Sequence, residues 1–136
     1  STIACGGTSN RPIAVKASTG PAQLMQWQDA THGQFVLAEV VVLETANGET
    51  AMSLSSGDSV EAFGENISNR TAVVAGFAVN STGIATSRDF DGDTNDTALL
   101  ADDEYLYLTN DTSSAVDFTQ GKLLVRLVGV DTTWGF

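Results

Sequence analysis

Apolar and polar positions alternate in short runs along most of this chain, and the longest run organises the rest. From Phe35 to Leu54 the sequence reads FVLAEVVVLETANGETAMSL. Successive side chains of a strand point to opposite faces. Val36, Ala38, Val40 and Val42 therefore share one face, with Phe35, Leu37, Glu39, Val41 and Leu43 on the other. The run is apolar on both faces from Val40 to Leu43, which predicts a central strand covered from both sides. Asn47-Gly48 can supply positive φ at both central positions of a tight turn. The chain is thus expected to fold straight back as a hairpin through Thr50, Met52 and Leu54.

Further runs repeat the strand signature. TAVVAGFAV (Thr71 to Val79) predicts a strand, with Gly76 inside it marking a bulge or a close backbone approach. Ser59 to Phe63 and Ile84 to Thr86 are short strand candidates, the second within a long polar loop from Asn80 to Ala98. In EYLYLTN, Tyr105, Tyr107 and Thr109 alternate with Leu106 and Leu108. GKLLVRLVGV places Leu123, Val125 and Leu127 inward and Lys122 and Arg126 outward. Seven or eight strands with no internal repeat and no heptad pattern predict an all-β fold. The expected architecture is a single-domain β-sandwich, jelly-roll-like or with other Greek-key connections.

Residues 1–33 read differently from the sandwich domain expected over 34–136. Gly6-Gly7 and Gly20-Pro21 interrupt regular structure, and PIAVKA (Pro12 to Ala17) fits an edge strand that Pro opens without a ladder N–H. Ala22 to Trp27 is compatible with a strand or a helical turn. The segment is therefore expected to form a loosely structured N-terminal arm.

Charge sharpens this division. The 136 residues carry a net charge of −11. Residues 1–28 hold Arg11 and Lys16 and no acid, hence +2, while 29–136 hold all 17 acids against 4 bases, hence −13. Such a body is repelled by nucleic-acid phosphates and anionic lipid, which argues against both as partners. Hydrophobic content of 42% is that of a chain with a core. The single Cys5 permits neither an intramolecular disulfide nor a cysteine-rich zinc site. No apolar run approaches the ~20 residues of a membrane-spanning helix, and no signal sequence opens the chain. Ser1 reads as the residue left by removal of an initiator Met, an expectation of synthesis in a cytoplasm, whatever the final location.

Candidate chemistry is sparse. Asp89, Asp91, Asp93 and Asp96 alternate around Gly92, and carboxylates so spaced can wrap a calcium ion, which takes six to eight oxygens. The pattern departs from an EF-hand, because Thr94 and Leu100 stand where the turn Gly and the closing acid belong. The bland alternative is an acidic turn. His32 is the only histidine and no G-x-S-x-G motif occurs, so a hydrolase has little support; Asp29 lies three residues before His32, but spacing alone makes no triad. Asn66, Asn69, Asn80, Asn95 and Asn110 begin N-x-S/T sequons that read as turns. Trp27, Tyr105, Tyr107 and Trp134 fit core or subunit contacts better than a sugar platform.

Three stretches carry a resemblance. QFVLAEVVVLETANGETAMSLSSGD, LLADDEYLYLTND and FTQGKLLVRLVGVD resemble the Val-rich strand and turn, the alternating aromatic strand and the final Gly-Lys-led strand of head decoration (cement) proteins of tailed bacteriophages. The resemblance runs from Gln34 to Val130. It implies a non-enzymatic virion protein on the outer capsid surface, often a trimer, with the major capsid protein as partner. The basic arm, through Arg11 and Lys16, would approach an acidic surface that the body avoids, with Trp27, Trp134 and Phe136 as subunit anchors. Alternatives are a tail-tube or head-completion protein, and a calcium-dependent carbohydrate-binding or adhesive module.

Overall fold

The computed structural model describes residues 23–46, 51–61, 66–88, 100–110 and 120–131. These residues form seven strands: β1 (Met25–Gln26), β2 (Gln34–Glu44), β3 (Ala51–Gly57), β4 (Thr71–Ala78), β5 (Gly83–Arg88), β6 (Tyr105–Asn110) and β7 (Lys122–Val130). A one-turn helix, α1 (Asp29–His32), separates β1 from β2. The strands pair in two antiparallel sheets, β1-β6-β3-β4 and β5-β2-β7. The all-β sandwich expected from the alternation is the fold of the chain.

The hairpin expectation is corrected. β2 pairs with β5 and β7, while β3 pairs with β4 and β6, so the two runs lie in opposite sheets. The physical reason is in their apolar faces. Ala38, Val40 and Val42 on β2, and Met52 and Leu54 on β3, all belong to one buried cluster. Placing the strands in facing sheets lets those faces meet across the core, whereas a hairpin would have set them side by side. Sheets pack ~10 Å apart, which the six residues between Glu44 and Ala51 span easily. The Asn47-Gly48 turn itself lies outside the described residues. Among the described strands, only β3 and β4 are consecutive within one sheet; the other successive strands lie in opposite sheets, as in jelly-roll and Greek-key sandwiches.

Several finer expectations hold. β2 is central in its sheet, and β5 occupies the short candidate at Ile84 to Thr86. Gly76 sits in a bulge, where β4 shifts register against β3 between Met52 and Leu54. Its φ of 55° is one that a β-branched residue resists, and its N–H donates to Ser53 Oγ at 2.9 Å. Ser59 to Glu61, by contrast, run as an irregular segment outside any strand.

The boundary of the arm is also corrected. Residues from Leu24 onward belong to the sandwich: Leu24 N–H donates to Leu106 O at 2.7 Å, and β1 adds to the edge of β6. Trp27 is 2% exposed and packs edge-to-face on Phe35, ring centroids 5.5 Å apart. Its indole N–H donates to Asp29 Oδ1 at 3.0 Å. Gly129 makes room for this corner, because a Cβ there would collide with the His32 carbonyl and come within 2.9 Å of the Trp27 ring. A large aromatic placed beside short elements outweighs the local glycine and proline signals.

Candidate functional site

Most residues singled out in the sequence lie outside the described residues: Asp89, Asp91, Asp93 and Asp96, and also Arg11, Lys16, Trp134 and Phe136. Trp27 is described, and its burial corrects the expectation of a partner-facing anchor. A ring that fills its own core has no surface left to offer. Asp29 and His32 do not assemble as a catalytic pair. The Asp29 carboxylate accepts from Trp27, while His32 Nδ1 accepts from the Gln28 N–H at 3.1 Å, within the cap of α1. Among the described residues, no three His, Cys, Asp or Glu side chains gather as a metal site.

What the described residues do assemble is an apolar row. On the outward face of the three-stranded sheet, Val41 of β2 pairs with Ile84 of β5 on one side and Leu124 of β7 on the other. Ile84 is 67% exposed and Leu124 51% exposed. The neighbouring cross-strand positions are charged. Arg126 Nε lies 3.2 Å from Glu39 Oε1 along one flank, and Lys122 Nζ lies 3.7 Å from Glu44 Oε2 along the other. Leu37 and Val128 pair beyond the Arg126–Glu39 flank. The expected cover over both faces of β2 is therefore found on the inner face only, among the described residues. Contiguous exposed apolar surface rimmed by polar groups is the character of an interaction site.

Sequence reasoning missed this row because Ile84 and Leu124 carry no pattern of their own. Leu124 sits between two inward residues in an unbroken apolar run. Only the register, which sets Leu124, Val41 and Ile84 side by side, gathers them.

A second feature is a groove of about 620 Å³ between the sheets, along the edge where β1 and β6 face β7. Met25, Leu106 and Leu108 line one wall, and Leu123, Val125 and Leu127 the other. The three β7 residues are the inward set expected from the sequence, but they are only partly buried.

A third feature is polar and structural. The outward face of β3 and β6 buries Ser53, Ser55, Tyr107 and Thr109, with the Ser55 and Thr109 hydroxyls 3.1 Å apart. The Tyr107 hydroxyl donates to Ser59 O at 2.5 Å and accepts from the Glu61 N–H at 2.9 Å. Glu61 Oε1 in turn accepts from the Ser59 and Ser68 hydroxyls at 2.5 and 2.9 Å. The Ser59 and Ser68 hydrogen bonds hold the Glu61 carboxyl below its ordinary pKa. Burial pushes the Tyr107 hydroxyl above its own. Tyr107 thus ties Ser59 and Glu61 to the sheet, and the Glu61 carboxylate draws in Ser68.

Against this geometry, comparison with protein-family models, with curated proteins and with solved structures gives no match.

Proposed function

We propose that this chain is a non-enzymatic virion structural protein, a head decoration protein that attaches to the outside of a bacteriophage capsid. It works there as a homo-oligomer, most simply a trimer, with the major capsid protein as its partner. The observation that carries the reading is the apolar row Leu124–Val41–Ile84, flanked by the Arg126–Glu39 and Lys122–Glu44 pairs.

Such a face suits docking on protein. Covering half-exposed Leu and Ile side chains contributes about 1–2 kcal/mol each. The flanking charges fix orientation and exclude wrong partners more than they add affinity. Weak contacts of this size hold firmly when several copies engage one shell together. The acidic body keeps decorated particles apart in solution. The stretches that resemble decoration proteins also coincide with β2, β3, β6 and β7, the strands that hold the sandwich together.

The experiment is imaging of virions produced with and without this chain. Knobs at regular lattice positions, present only when the chain is present, agree with the proposal. Particles of identical surface in both preparations overturn it, and density confined to the tail would move the chain to a tail role.

A further inference from the structure

We infer that the partner of the outward face of the three-stranded sheet is an acidic protein surface, with carboxylates that meet Lys122 and Arg126 on either side of an apolar ridge. This rests on the proposed attachment and deepens it by naming the chemistry of the surface attached to.

Charge on this face departs from that of the rest of the chain. Residues 29–136 hold 17 acids and 4 bases. Glu39, Glu44, Lys122 and Arg126 flank the apolar row, which leaves 15 acids against 2 bases for the remainder of 29–136. Among the described residues the row therefore lies in a neutral patch on a strongly acidic protein. Within each pair the cation is the outer member. The Lys122 side chain is 74% exposed against 45% for Glu44, and Arg126 58% against 20% for Glu39. A surface approaching this face meets the two bases first, and long-range attraction then favours one that carries carboxylates.

Both bases keep donors to offer. Arg126 gives Nε and Nη2 to Glu39 at 3.2 and 3.3 Å, and a guanidinium carries five N–H groups. Lys122 Nζ stands 3.7 Å from Glu44, beyond hydrogen-bond length, and an ammonium carries three. A second carboxylate can thus join each pair, in a charge-assisted bond that strengthens as the row beside it is covered and water leaves. Lys122 and Arg126 lie four residues apart on β7, about 14 Å, with Leu124 between them on the same face. That is the spacing expected of the partner's carboxylates, with apolar side chains between them to cover Leu124, Val41 and Ile84.

Area gives these charges their weight. Three strands span about 14 Å and the 11 residues of β2 about 37 Å, so the face offers about 500 Å², short of the ~800 Å² per partner of a standard interface. Apolar contact alone is then weak, and the choice of partner falls to the flanking bases. A second copy set face to face does not fit them, because a two-fold axis brings the same patch to both sides. About an axis along the strands, β2 lies on β2, and Glu39 and Glu44 face their own counterparts. About an axis across the strands through the row, β7 lies on β7 and Lys122 faces Arg126. Either arrangement opposes like charges.

Sedimentation with virions lacking the chain, across a salt series, tests this. Lys122→Gln/Arg126→Gln and Glu39→Gln/Glu44→Gln are compared with the parent, and urea unfolding checks that both variants fold. Attachment of the parent should weaken as salt rises. Lys122→Gln/Arg126→Gln should weaken it about tenfold or more, while Glu39→Gln/Glu44→Gln keeps or tightens it. Parental attachment by Lys122→Gln/Arg126→Gln, or a loss confined to Glu39→Gln/Glu44→Gln, would overturn the inference and leave the attachment reading standing. Normal attachment by Lys122→Gln/Arg126→Gln with smaller oligomers on size exclusion would also overturn it, and would assign the bases to a second copy. A parent that does not sediment with the particles would overturn the attachment reading and this inference together.

Discussion

Trp27→Ala separates a core residue from a partner contact. The ring is 2% exposed, stacks edge-to-face on Phe35 with centroids 5.5 Å apart, and donates its N–H to Asp29 at 3.0 Å. Truncating a buried Trp costs about 3–5 kcal/mol through lost burial and the cavity left behind. The edge-to-face pair accounts for about 1 kcal/mol of that. Asp29 is exposed, so water replaces the lost hydrogen bond and adds little. For a chain of this size the loss corresponds to a fall of roughly 10–15 °C in Tm. Urea unfolding followed by far-UV circular dichroism measures it directly, and Trp27→Phe should recover part of the loss by refilling the cavity. The reasoning fails if Trp27→Ala unfolds within about 1 kcal/mol of the parent.

Gly129→Ala should cost about 3 kcal/mol, since the added methyl collides with the His32 carbonyl and forces α1 off β7; thermal melts check it. Tyr107→Phe leaves the Glu61 N–H and Ser59 carbonyl without their partner and should cost about 1–3 kcal/mol in urea unfolding. Tyr107 also sets an alkaline limit. With its pKa raised in the fold, its contribution is full below the ordinary value of 10.0 and is lost as pH rises through the raised one, a loss absent from Tyr107→Phe. Glu61 acts in the opposite sense. Its lowered pKa gives a contribution present above the ordinary value of 4.5 and lost as pH falls through the depressed one, so Glu61→Gln should flatten the acid limb of a stability–pH curve.

The sequence shows strands well and their partners poorly. Alternation identified β4, β6 and β7, and even the bulge at Gly76, because period-two patterns and a lone strand glycine are local signals. Asn47-Gly48 misled because turn chemistry is local too, whereas the choice of sheet depends on which apolar faces can meet across the core. β2 and β3 meet that condition only from opposite sheets. Trp27 was legible as a core or subunit contact, but the choice between them was not, since Gly129, 102 positions later, supplies the space it fills. The candidate interface was the least legible part. Leu124, Val41 and Ile84 come from three distant strands and share nothing but register.

That interface is tested most directly by Ile84→Lys/Leu124→Lys. Both residues are more than half exposed, so the double substitution should leave the unfolding free energy in urea within about 0.5 kcal/mol of the parent. Two buried lysines at a protein interface would instead abolish attachment. Purified variant and parent are mixed with virions lacking the chain, and bound protein is counted after sedimentation. The expected result is a folded variant that stays in the supernatant while the parent sediments with the particles. A folded variant that decorates particles at parental occupancy would contradict it.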